Sequence, residues 1–172
     1  MYPNAYIQYL IHFHGDRDYF ECHEILEEYW KEEPRGQRKP HWVGLIQIAV
    51  SLYHQRRGNW KGAARMMEHA LAILQKEEAA VRALGLDYES LLRLLGNQLD
   101  DIIHQRAYKS IMLPIADGGL TETCIRQCEK LGFQFGSNSD MANLSLLHRH
   151  TLRDRSEVIA ERQRQLQKRK QR

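Results

Sequence analysis

The chain has 172 residues, 25 Lys and Arg against 22 Asp and Glu, nine His, three Cys and 42% hydrophobic residues. That length suits one domain with a real core, the apolar content excludes wholesale disorder, and three scattered Cys exclude a disulfide framework. No apolar run approaches the roughly 18 residues of a membrane span, and Met1-Tyr2-Pro3-Asn4 lacks the basic flank and apolar stretch of a secretory leader, so a reducing cytoplasm is the expected location.

Residues 4–13 read as a short helix ended by Gly15. Asp16 or Asp18 is the candidate cap of the next, which reaches about residue 31 before Pro34 and Gly36 break the chain. A turn over 34–40 leads into a long helix over about 41–57, apolar nearly all round and hence the centre of a bundle. Gly58 and Asn59 end it. Another helix covers about 60–76, Gly85 ends a short continuation, and Asp87 caps a helix over about 88–106.

The pattern then changes. Residues 108–115 have β-type composition, Asp117-Gly118-Gly119 is a turn, 120–131 read as a helix, and 132–136 are short and extended. The two extended pieces are expected to pair as a minor two-stranded sheet with Pro114 at its edge. Asp140 is the candidate cap of a polar helix that runs into a basic tail, where Leu152, Ile159 and Leu166 recur every seven residues, too thin a stripe for a coiled coil. The expected fold class is all-α: a multi-helix antiparallel bundle with a small C-terminal extension carrying the sheet and a basic helix. Its expected divisions are a bundle core over 1–107, a small mixed extension over 108–136 and a polar, basic tail over 137–172.

Charge is unevenly placed. Residues 148–172 hold nine Lys or Arg against three acids, net +6, which leaves the rest of the chain at −3. A basic tail can meet nucleic acid or an acidic partner. No aromatic residue interleaves these charges for base stacking, so a solvated terminal helix is the favoured reading.

The segment with chemical content is 18–30. At about 100° per residue, Tyr19, Cys22, His23, Leu26 and Trp30 share the core-facing side, with Glu27 one turn from His23 and Glu21 and Glu28 facing water. His23 and Glu27, at i and i+4, are spaced to chelate one divalent ion; the same pair serves equally as a hydrogen-bonded core element, and by spacing alone that structural role is the commoner. His-Glu-x-x-Glu lacks the second His of the zinc proteases. On the next long helix the polar exceptions Gln47, Ser51 and His54 form one stripe. Two helices meeting antiparallel bring His23, Glu27, Gln47 and His54 together, as a metal site with open positions or as a network that fixes helix register. Arg17, Tyr19, Gln47 and Tyr53 are expected to complete the surrounding pocket. His12 and His14 sit at a helix end with little weight as ligands. Cys22 reads as inert packing, and Cys124 and Cys128, four apart, match no zinc or redox spacing.

These residues carry a resemblance. His14-Gly15-Asp16-Arg17-Asp18-Tyr19-Phe20-Glu21-Cys22-His23-Glu24-Ile25-Leu26-Glu27-Glu28-Tyr29-Trp30, then Trp42-Val43-Gly44-Leu45-Ile46-Gln47, Tyr53-His54 and Gly58-Asn59-Trp60-Lys61-Gly62-Ala63, resemble the bacterial and archaeal family known as domain of unknown function 309. The likeness covers roughly residues 8–80. It implies an all-helical domain without an established activity. The label of metal-dependent hydrolase that travels with the family looks like an inference from the same His and Glu residues. Gly58-Asn59-Trp60 with Ala63, Met67 and Ala70 also has the spacing of the second helix of a tetratricopeptide repeat, with Ser51 as the small residue of the first; only one such hairpin is visible, and an array needs about three.

Three functions follow. The first is a structural or interaction module in which the His/Glu cluster serves the fold. The second is a metal-dependent hydrolase, with His23, Glu27 and His54 holding one divalent ion such as zinc and Glu24 as general base. The third is a nucleic-acid adaptor acting through the basic tail, disfavoured by its lack of aromatics. Self-association or a protein partner is expected to use the C-terminal helices.

Overall fold

The structure, a computed structural model, describes residues 1–152 and 156–171, with side chains described for 1–150 and 161–171. Among the described residues ten α-helices follow one another: α1 (Asn4–His14), α2 (Tyr19–Glu32), α3 (Pro40–Arg56), α4 (Trp60–Leu74), α5 (Glu78–Ala83), α6 (Tyr88–Ile103), α7 (Gly118–Lys130), α8 (Leu144–Leu147), α9 (Arg149–Leu152) and α10 (Ser156–Lys170). The fold is an all-helical, multi-helix bundle.

Side-chain caps explain most of the starts, because a carboxylate or amide oxygen satisfies an N–H that has no partner inside the first turn. Asp18, not Asp16, accepts from the Glu21 N–H at 3.1 Å, Asn59 from Gly62 at 3.1 Å and Asp87 from Ser90 at 3.0 Å. Pro40 occupies the first turn of α3, where its missing N–H costs nothing. Asp140 caps no helix. Its carboxylate accepts from the Ala142 N–H in a turn, and Asn143 caps α8 instead.

The long apolar helix α3 is the hub, with α2 on one side and α4 on the other; α1 packs on α2 and α7, and α4 on α6. Close approach of α3 and α4 depends on small residues. A Cβ on Gly44 would stand 2.8 Å from the Leu74 side chain, and Ser51 Oγ donates to the Ala63 carbonyl at 2.7 Å. Tyr9 and Tyr6 bury their rings and donate their hydroxyls to the carbonyls of Leu45 (2.7 Å) and Leu84 (2.9 Å), so polar tips in the core are matched. Leu113, Leu120 and Cys124 join the same core as the side chains of α1–α6. The Cys22 thiol is fully buried, and burial holds its pKa well above the ordinary range, as inert packing requires.

The expected two-stranded sheet is absent among the described residues. The 108–116 segment does not pair with 132–136. It runs extended across the end of the bundle and makes one isolated antiparallel bridge, Leu86 with Ile115, with the Asp87 N–H donating to Pro114 O at 2.9 Å and the Ala116 N–H to Gly85 O at 2.7 Å. The second segment turns to α1, where the Gly136 N–H donates to His14 O at 2.8 Å. The β-type composition marks apolar side chains that cover the bundle, Leu113 above all, rather than a ladder. In the tail, the described side chains of 161–171 are exposed. The side chains of Leu152 and Ile159, two of the three heptad positions, lie outside the described residues.

Candidate functional site

The centre of the apolar stripe on α2 is Tyr19, Cys22 and Leu26, all fully buried. His23, next to Cys22, is turned about 100° away and sits at the rim rather than on the buried face, with its side chain 27% exposed. Its Nε2 lies 2.8 Å from Glu27 Oε2, and Glu27 Oε1 lies 2.8 Å from Lys31 Nζ. One carboxylate therefore bridges two helix-mates, one turn on either side. Glu24 Oε1 is 3.6 Å from the other imidazole nitrogen of His23.

Across from this face, α3 presents Val50, Tyr53 and His54. Together with Tyr19, Phe20 and His23 of α2 they line a pocket of about 140 Å³, and His150 from the C-terminal part of the chain completes the wall. The lining is mostly aromatic and aliphatic, with imidazoles as its polar groups. Asn59 Nδ2 donates to His54 Nδ1 at 3.3 Å. Burial, then the nearby Arg57 charge and His150, lower the His54 pKa, so this ring is neutral at pH 7.

Residues 143–150 reach the pocket as a strap. Tyr53 hydroxyl and His150 Nδ1 are hydrogen-bonded, and the His150 N–H donates to the same hydroxyl at 3.2 Å. Arg57 stacks over the Tyr53 ring at 5.3 Å and donates from Nε to His148 Nδ1 at 3.2 Å, with Nη1 placed 3.2 Å from His150 Nε2. Arg149 pairs with the buried Asp18 carboxylate at 2.8 Å. The cap of α2 is thus also the anchor of the strap.

Of the residues singled out from the sequence, His23, His54, Tyr19 and Tyr53 line one pocket. Glu27 touches it only through His23, and Glu24 stands half-exposed beside His23. Two expected members lie elsewhere. Arg17 is buried in a left-handed conformation (φ 58°) and donates to Ser137 O at 2.8 Å and to Ile111 O. Gln47 does not line the pocket, and its buried Oε1 has no hydrogen-bond partner. His12 and His14 are likewise absent from the lining. Burial is the largest influence on His12 and opposes its protonation, but the hydrogen bond to Asp16 (3.0 Å) and the charges of Asp16, Asp18 and Glu21 together outweigh it and raise the pKa, whereas His14 is a buried structural ring. Among the described residues no group of three or more His, Cys, Asp or Glu is arranged to hold a metal ion. Sequence reasoning missed His150, Arg57 and Phe20. Phe20 was visible as a neighbour of the stripe, but no local periodicity connects Tyr53 with a residue 97 positions later.

The first two-fifths of the chain matches the family described as Domain of unknown function (DUF309), over residues 6–66. That segment spans α1 to the first part of α4 and contains every pocket residue except His150. The chain is also 52% identical over 170 residues to a Bacillus subtilis (strain 168) protein named uncharacterized protein YpuF, across 99% of this chain and 98% of that one. No solved structure matches. With the family segment in place and a relative alike from end to end, strap and tail included, this chain belongs to the DUF309 family.

Proposed function

We propose that the protein is a helical interaction module and that the His/Glu cluster serves the fold and the rim of its pocket. The observation that carries this reading is the engagement of Glu27: both its oxygens are at 2.8 Å from cations or imidazoles of its own helix, and the arrangement is a one-sided i, i+4 ladder on a half-exposed face. The partner-facing element is the aromatic pocket between α2 and α3, closed by the strap over 143–150. In this reading residues 1–107 form the working core, 108–136 a clasp across it and 137–172 a strap and a polar, basic tail. The α3–α4 pair, close-packed through Gly44 and Ser51, is of the tetratricopeptide hairpin type. The working location is the cytoplasm, and the partner surface includes the C-terminal helices.

A second reading has one observation in its favour: His23 and His54 line the same pocket. A metal-dependent hydrolase would use His23, Glu27 and His54 as ligands to one divalent ion and Glu24 as general base. The two readings separate in one experiment, the metal content of untagged protein by plasma mass spectrometry, before and after incubation with zinc, manganese or iron, with His23→Ala alongside. The interaction module predicts no stoichiometric metal in either sample and a partner recovered by affinity capture that is lost on Val50→Glu. One ion per chain that disappears in His23→Ala would overturn it. A nucleic-acid role for the tail predicts binding that falls steeply with salt and disappears when the chain ends before Arg149.

A further inference from the structure

Two guanidinium groups are buried without a carboxylate. Arg17 is 1% and Arg56 6% exposed, and neither forms an ion pair among the described residues; Asp18, the one buried acid among them, is held by Arg149. Arg17 uses neutral acceptors only: the carbonyls of Ser137 and Ile111 and the Met112 sulfur. Arg56 Nη1 donates to Arg17 O at 2.8 Å and to Ser139 Oγ at 3.1 Å, while its Nε and Nη2 are buried and have no hydrogen-bond partner. The Tyr19 and Tyr108 rings lie against the Arg56 guanidinium, at 4.6 and 5.9 Å. Ring faces and carbonyl oxygens offset part of the cost of taking a cation out of water; a full counter-charge offsets much more.

The place for such a counter-charge adjoins Arg56. Tyr108, Ser110 and Ser139 bring three hydroxyls together, Tyr108 to Ser139 at 2.8 Å, Tyr108 to Ser110 at 3.2 Å and Ser110 to Ser139 at 3.4 Å. They line a cleft of about 410 Å³ together with Lys109, Asn138 and Met141. Among the described residues no acidic side chain lines it; Asp140 belongs to the neighbouring groove, beside Arg149. The hydroxyls can turn toward an acceptor ligand. Ser139 Oγ accepts from Arg56 Nη1 and Ser110 Oγ from the Ser139 N–H at 2.9 Å, Tyr108 is also hydrogen-bonded to the Tyr19 hydroxyl, and the Ser110 hydroxyl donates to Ser139 Oγ across a long 3.4 Å, so the Ser110 proton is the one most readily redirected to a ligand in the cleft. The cleft exceeds the needs of a bare ion, and the exposed Met141 offers its far wall an apolar surface.

We propose that the cleft between Tyr108, Ser110 and Ser139, flanked by Lys109 and backed by Arg56, binds a phosphate monoester. The three hydroxyls and the Lys109 ammonium hold the phosphate oxygens, Arg56 supplies charge from one hydroxyl behind, and the ester group extends past Met141. This site is separate from the pocket between α2 and α3 and does not depend on the function proposed for it.

The test is calorimetric titration of the full chain with inorganic phosphate and with phenyl phosphate, at fixed ionic strength set by chloride. The expected result is saturable binding of one phenyl phosphate per chain, at least tenfold weaker in the double variant Lys109→Ala, Ser110→Ala, whose substitutions lie on the cleft wall. Equal affinity for phosphate and phenyl phosphate would overturn the assignment to a monoester and point to the free ion. No heat beyond chloride dilution, or unchanged binding by the double variant, would overturn the site. Should the variant not fold, amide chemical shifts of Ser110 and Ser139 in the wild-type protein decide: they move with phenyl phosphate if the proposal holds and stay fixed if it does not.

Discussion

Acidification is expected to weaken the fold, and His14 is the imidazole whose share can be isolated. His14 is fully buried, with Nδ1–H donating to Leu10 O at 2.8 Å and Nε2 accepting from the Leu113 N–H at 3.0 Å. Those two bonds require the neutral ring, because a protonated Nε2 has no lone pair to offer Leu113. Burial lowers the pKa of His14 to about 4 from the 6.5 of an exposed imidazole; the bond to Leu10 opposes the shift and the Arg17 charge adds to it. Between those values the unfolded chain binds more protons than the folded one. The stability is therefore complete above about 6.5 and is lost as the pH falls toward about 4. From pH 7 to pH 5 the loss through His14 alone comes to about 2 kcal/mol. His41, held at about 4 by burial and Lys39, adds a loss of the same sign. Asp18, raised by burial, acts in the opposite sense. Comparison with His14→Leu isolates the one group. Urea unfolding followed by circular dichroism at pH 7, 6 and 5 should show the variant weaker at pH 7 by about 1–3 kcal/mol, because the Leu113 N–H is left without an acceptor. The variant should also lose about 2 kcal/mol less than wild type on going to pH 5. Parallel pH dependence in the two proteins would refute the reasoning.

The other expectations are simpler. Gly44→Ala drives a methyl into Leu74 at 2.8 Å; overpacking of about 1–3 kcal/mol outweighs the roughly 1 kcal/mol gained in helix propensity, and thermal unfolding should show a net loss. Ser51→Ala removes the bond to Ala63 O and should cost about 1 kcal/mol in urea titration, without altering helix content. His23→Ala breaks only a half-exposed ladder and should change stability by less than about 1 kcal/mol; a loss several times larger would mean that the cluster is a buried network after all. Tyr53→Phe removes the hydroxyl that holds His150 and should accelerate limited proteolysis within 137–150, with the body of the bundle unaffected.

The helices of the body were readable because their signals are local. Asp18, Asn59 and Asp87 each announce a cap beside an apolar repeat, and the nearly continuous apolarity of α3 marks it as the hub. Part of the pocket was readable for the same reason, since His23 and Tyr19 on α2 and His54 and Tyr53 on α3 follow from two helical periods and one antiparallel contact. What was not readable depends on distant partners. The 108–116 segment has the composition of a strand, but its Pro114 carbonyl is taken by Asp87 and its Leu113 N–H by His14, neither of which any local pattern reveals. Arg17 looked like a pocket residue because it stands next to Asp18 and Tyr19. Its left-handed backbone turns it instead toward residues 111 and 137. His23 at the rim rather than in the core is a matter of one helical step, finer than an apolar stripe resolves.

The polar end of α1 is completed by parts of the chain made long after it. His14 meets the Leu113 N–H through Nε2 and the Gly136 N–H through its carbonyl, and Gly15 O accepts from Ser137 Oγ at 3.0 Å. During synthesis, α1–α4 leave the ribosome about forty residues ahead of the first of these partners. The nascent protein must then hold a helical core whose first helix ends in unmatched buried groups, and folding closes only when the late segments arrive to seal it. Such end-to-end closure is slow to form. It also ties the end of the first helix to residues 113–137, so that a cut between α6 and Ser137 is felt there.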